Sequence, residues 1–100
     1  MIKHIVFWRL KDFAVGSNKN TNALKMIEKL EPMQGKINGL VSLQVGLNKN
    51  ESADAYDVCL ITEHHSWDDL TFYQNHPLHK EVATFIGDIS QSRSLVDFEF

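Results

Sequence analysis

The sequence holds one cysteine, two prolines and five glycines in 100 residues, and it has no excess of basic charge. The lone thiol, Cys59, rules out an intramolecular disulfide and suits a reducing compartment. Ten lysines and arginines stand against thirteen aspartates and glutamates, for a net charge of -3. The basic residues are scattered singly, so no stripe exists to displace phosphate counterions, and a nucleic-acid partner is not expected. No apolar run approaches the roughly 20 residues that span a bilayer. Met1 to Leu10 enters a strand-like pattern directly, without the layout of a signal peptide, so no membrane partner is expected and the reading is cytoplasmic. A glycine-rich phosphate loop and the Ser/His/Asp order of a hydrolase are also missing, and no cofactor is expected.

What remains is an ordinary globular composition, 43% apolar and 23% charged, which argues against disorder and for one domain over residues 1–100. A chain of this size can build a core but gains from a partner. There is no internal repeat, low-complexity segment or interior linker.

Ile2 to Leu10 reads as a strand, with His4, Val6, Trp8 and Leu10 on one face and Ile5 and Phe7 on the other. Both faces are apolar, which calls for a covering layer on each side. Lys11 to Asn20 reads as a polar connector. Thr21 or a nearby asparagine caps a helix carrying Leu24, Ile27 and Leu30 at spacing three, widened by Ala23 and Met26, and Pro32 ends or kinks it. A second strand alternates Val41, Leu43, Val45 and Leu47 with polar or small residues, and Asn48 to Asp54 is a turn-rich loop. The third strand runs from Tyr56 to Thr62, with Tyr56, Val58, Leu60 and Thr62 on one face. A last strand covers Leu95 to Phe100.

Between the third and last strands lies the densest stretch, Ser66 to His79. Ser66 with Asp69 forms a capping-box-like helix start, and Pro77 stops that helix while suiting the first turn of a new one. The spacing places His76 at the cap, His79 one turn inside and Tyr73 in the last turn of the preceding helix. Leu78, Val82, Phe85, Ile86 and Ile89 then form a buried stripe. The order strand, helix, strand, strand, helix, strand is that of a ferredoxin-like α+β sheet with helices on one face. Its uncovered apolar face is most economically buried against a second copy, which predicts a homodimeric α+β barrel.

His76-Pro77-Leu78-His79 preceded by Tyr73, with Lys3-His4-Ile5-Val6 at the start and Val96-Asp97-Phe98 at the end, resembles the stress-responsive α/β-barrel domain (Dabb) family. The resemblance extends over essentially the whole chain and implies the same dimeric architecture. In the branch that resembles polyketide ring-closing cyclases, the tyrosine and the second histidine of this motif are the acid–base residues, which points to Tyr73 and His79. Such cyclases also place a histidine on the third strand, where this chain has Val58.

Chemically, a neutral imidazole near a helix N-terminus suits proton transfer at cytosolic pH, and a neighbouring phenol can donate a hydrogen bond to a developing enolate. His4, Trp8, Val58, Tyr73, His76 and His79 are the expected ligand-binding set, with Tyr73 and His79 as catalytic candidates. A competing reading makes Tyr73 and His79 helix-junction residues, His4 a satisfied core histidine and His76 a cap. His64, His65, Asp68, Asp69, His76 and His79 lack metal-ligand spacing, so no metal is expected. Asp97 and Glu99 are read as partners of Arg9 or Arg93, and Cys59 as a small buried hydrophobe. Three functions fit: binding of a small, largely apolar ligand between sheet and helices, a cofactor-independent cyclase or lyase (or a monooxygenase-like enzyme), and a structural assembly protein linked to stress.

Overall fold

A computed structural model describes residues 1–100. In chain order it comprises β1 (Ile2–Leu10), β2 (Phe13–Ala14), β3 (Ser17–Asn18), α1 (Lys19–Leu30), a 3-10 turn (Glu31–Met33), β4 (Leu40–Leu47), β5 (Val58–His64), α2 (Trp67–Asn75), α3 (Pro77–Ile89) and β6 (Ser90–Glu99). The main sheet has the order β4-β5-β1-β6, antiparallel throughout. This is the ferredoxin-like βαββαβ arrangement, with the second helix of the motif broken into α2 and α3. No helix is long and apolar enough to cross a membrane.

Local chemistry explains the helix boundaries. Asn18 caps α1, its side-chain oxygen accepting the Thr21 N–H at 2.9 Å. Ser66 Oγ accepts the Asp69 N–H at 3.1 Å to start α2. His76 closes α2 and opens α3, with its Nδ1 accepting the Leu78 N–H at 3.1 Å and Pro77 in the first turn.

Three expectations need correction. First, α1 does not bury Leu24, which is 55% exposed; its inward face is Asn22, Ala23, Met26 and Leu30. Residues three apart drift around a helix of 3.6 residues per turn, whereas the spacing of Ala23, Met26 and Leu30 stays on one face. Asn22 is held there because its amide donates to the Ala14 and Ser17 carbonyls, at 3.0 and 3.3 Å. Those carbonyls belong to a small β2–β3 hairpin inside the stretch expected to be a plain connector. Second, the pairing of β4 with β5 shifts register between Leu40 and Ser42, so Leu40 takes the helix-side face and Val41 is turned out, 40% exposed. Third, β5 begins at Val58, not Tyr56, and continues past Thr62 to His64, while β6 begins at Ser90.

Register defines two faces. On the helix side, cross-strand rows run Asp97–His4–Thr62–Leu43, Leu95–Val6–Leu60–Val45 and Arg93–Trp8–Val58–Leu47. On the other side a row runs Val96–Ile5–Ile61–Gln44, flanked by Phe7 and Phe98. No helix covers that second face; Tyr56, from the loop before β5, packs on its Phe7 end and reaches Ser94 Oγ at 2.9 Å.

Gly39 precedes β4 with φ +85°, and a Cβ placed there would lie 2.5 Å from Asp69 Cγ. Gly39→Ala therefore combines left-handed backbone strain with a collision against the start of α2. It is expected to cost about 1–3 kcal/mol, or a fall in Tm of at least ~4 °C for a domain this small. An unchanged thermal melt would mean that the turn and α2 part without cost.

Candidate functional site

The helix-side row through His4 builds one wall of the site. His4 is buried, and because β1 and β6 set it directly opposite Asp97, its Nδ1 pairs with the Asp97 carboxylate. Two residues further along the same face of β5 from Thr62 comes His64, fully buried, with Nε2 2.9 Å from Thr62 Oγ1. From α2, Tyr73 drops between these strands and α3. Its ring centroid lies 4.6 Å from that of His79, 4.9 Å from that of His64 and 6.4 Å from that of His4. Three histidines from three elements thus surround one buried tyrosine.

Beside this group, between the sheet and α3, is a cavity of about 320 Å³. His4, Trp8, Tyr73 and His79 all line it, with Val82 and Ile86 of α3 supplying apolar wall and Arg93 of β6 completing the lining. The Tyr73 hydroxyl and the His64 Nδ1 are buried without a hydrogen-bond partner; the His79 Nδ1 is buried as well, with the Gln74 backbone its neighbour at a geometry too poor for a full hydrogen bond. Each such atom costs about 1–3 kcal/mol when left unsatisfied, so groups of this kind in native proteins normally meet water or a ligand.

Burial controls the protonation of the group. It pushes the Tyr73 phenol well above the ordinary tyrosine range, so the hydroxyl stays a neutral donor. It also lowers His79, helped by repulsion from His4 and Arg93 and opposed by the backbone at Gln74. His79 is therefore neutral at pH 7, the state expected from its position in the first turn of α3, but burial is the leading cause. His64 is pushed down to about 4 by burial and then by His4, against the attraction of Asp69 and Asp97.

The remaining predicted residues lie elsewhere. Val58 is buried opposite Trp8 in the ladder but outside the cavity lining, where Leu60 is the β5 contribution. His76 stays at the helix junction, spending Nδ1 on the cap and packing its ring edge-on to Phe72 at 5.9 Å. Asp97 and Glu99 do not pair with arginines: Asp97 takes His4, and Glu99 accepts the Trp67 Nε1–H at 2.7 Å. No three His, Cys, Asp or Glu groups are placed to hold a metal ion. Sequence reasoning weighed His64 only for a metal and did not place it beside Tyr73, although the alternation Val58, Leu60, Thr62, His64 was there to extend. It also missed that Arg93 reaches the cavity.

A family model described as the stress responsive A/B barrel domain matches residues 2–100. No functionally curated protein matches the chain. Among solved structures, a dimeric protein of unknown function with a ferredoxin-like fold from Bacteroides fragilis is 31% identical, with a TM-score of 0.87 over 99% of this chain and 95% of that one. A dimeric ferredoxin-like protein of unknown function from Thermobifida fusca is 23% identical, with a TM-score of 0.86 over 99% and 90%. The hydroxynitrile lyase from Passiflora edulis is 17% identical, with a TM-score of 0.80 over 97% and 90%, a likeness of fold.

Proposed function

The chain belongs to the stress responsive A/B barrel domain family, and from that premise we propose that it is a homodimer whose subunits each take a small, largely apolar molecule into the cavity beside Tyr73 and His79. There the two side chains act on a carbonyl group of that molecule, as a cofactor-independent lyase or cyclase does. One observation carries the reading: the Tyr73 hydroxyl is buried without a partner, and His79, whose ring packs on Tyr73, lines the same mostly apolar cavity.

The chemistry follows from their protonation states. Neutral His79 accepts a proton from the carbon next to the carbonyl, or from a hydroxyl whose loss of a proton lets the adjacent carbon–carbon bond break. Tyr73, kept protonated by burial, donates a hydrogen bond to the oxygen on which negative charge develops. His4, paired with Asp97, also lines the cavity. That a neighbour of this fold is named a hydroxynitrile lyase supports lyase chemistry as a possible use of the scaffold. Dimers among the relatives, together with the open apolar sheet face, support the homodimer.

Deuterium exchange at the α-carbons of a medium-chain ketone such as 2-heptanone, followed by proton NMR, tests the proton transfer directly. His79→Ala is expected to slow protein-catalysed exchange by about 10²-fold or more, and Tyr73→Phe by a comparable factor. Tyr73→Phe should keep Tm within a few degrees, since it removes only a hydroxyl that has no protein partner, whereas His79→Ala also removes a ring packed on Tyr73 and is expected to lower Tm further. Equal exchange in all three proteins would remove the acid–base assignment. A collapse of Tm in both variants would make the pair a structural junction instead.

A further inference from the structure

We propose that the ligand of this cavity is an amphiphilic monocarboxylic acid, whose carboxylate is held by Arg93 while its apolar body lies against Trp8, Met33 and Ile86; the inference rests on the cavity being a ligand site, as read above. Of the fourteen lining residues none is acidic, and Arg93 alone carries a permanent charge. In a chain with more acids than bases, a lone cation at an apolar cavity is conspicuous.

Arg93 stands at the cavity's solvent-exposed rim on the edge strand β6, and no other group of the protein occupies its guanidinium. The ion pairs join Lys3 to Glu63, His4 to Asp97, and Lys19 to Asp12 and Asp57. Arg9 stacks on Tyr56 at 4.5 Å, but Arg93 has no such ring. The two acids that share its strand and face are engaged elsewhere, Asp97 with His4 and Glu99 with the Trp67 Nε1–H. Arg93 also stands opposite Trp8, on the helix side of β6, away from the face that a second subunit would cover. A planar guanidinium fork matches a carboxylate in a bidentate manner, which a point charge does not. The cavity of about 320 Å³ corresponds to about ten waters at ~30 Å³ each, the size of a medium-chain acid.

Octanoate and 1-octanol are the probes, titrated into the dimer and its Arg93→Met variant and followed by the NMR signals of Tyr73 and His79. The parent is expected to bind octanoate about tenfold or more tightly than octanol, and Arg93→Met to lose that preference while binding octanol within twofold of the parent. If acid and alcohol bind the parent equally and the variant changes neither, carboxylate recognition is wrong while the cavity remains a ligand site. If neither probe moves the Tyr73 and His79 signals at millimolar concentration, the cavity reading falls together with this one.

Discussion

Ile5→Asp is expected to turn the dimer into a monomer. Ile5 sits at the centre of the uncovered sheet face, between Val96 on β6 and Ile61 on β5, and Phe7 and Phe98 extend the apolar surface on either side. Within the chain Tyr56 packs on this surface at its Phe7 end, and Val96 and Phe98 remain 54% and 39% exposed. A contiguous apolar patch of this kind marks an interface, and a two-fold axis buries the same patch on both subunits at once. An aspartate at its centre would be desolvated without a cation opposite, twice per dimer. Stranding a buried charge costs about 3–5 kcal/mol, so the dissociation constant should rise by at least about 10³-fold. In the isolated subunit position 5 is half-buried, so the same carboxylate keeps access to water and costs less than in the dimer. Sedimentation equilibrium at matched micromolar concentrations separates the cases: a monomeric parent, or a variant that stays dimeric, would remove this face as the interface. Glu81→Lys, on the exposed side of α3, serves as a charge-change control that should leave the assembly intact.

The features readable in the sequence are those decided over a few residues. The two-faced character of β1 follows from strict alternation, and the junction at His76 and Pro77 follows from a cap, a missing N–H and a restart within three residues. Pairing between distant strands decided the rest. The bulge at Val41 exists only because β4 must register against β5, and one extra residue there exchanges the faces of Leu40 and Val41. Asp97 meets His4 rather than an arginine because the β1–β6 ladder joins the two ends of the chain directly across from one another. The inward face of α1 depended on Asn22 anchoring a hairpin whose existence no hydrophobic pattern announces. At the site, Tyr73 and His79 carried a local signature, whereas Arg93 joined them only through the ladder that puts it opposite Trp8.

His64 provides the second large effect, a loss of stability in mild acid. Its folded-state pKa is pushed down to about 4, mainly by burial and then by His4, against Asp69 and Asp97. An unfolded histidine titrates near 6.5. Between those values the unfolded chain binds a proton that the folded chain refuses, so stability is complete above about pH 6.5 and declines as the pH falls toward 4. At about 1.36 kcal/mol per pKa unit, the decline attributable to His64 is about 2–3 kcal/mol, a large share of the stability of a domain this small. His79 is lowered in the same sense and adds to the slope. Acidification also protonates paired carboxylates such as Asp97, so the slope of the parent alone does not isolate the histidine. His64→Gln does, because glutamine keeps a polar group within reach of Thr62 Oγ1 and cannot take up the proton. Urea unfolding of both proteins at pH 7 and pH 4.5, at one protein concentration, should show the variant losing about 2 kcal/mol less than the parent over that interval. Whatever the substitution costs at pH 7 cancels in this comparison. Parallel pH dependences would show that His64 is protonated in the folded state as readily as in the unfolded one, and that the buried cluster around Tyr73 accommodates a charge.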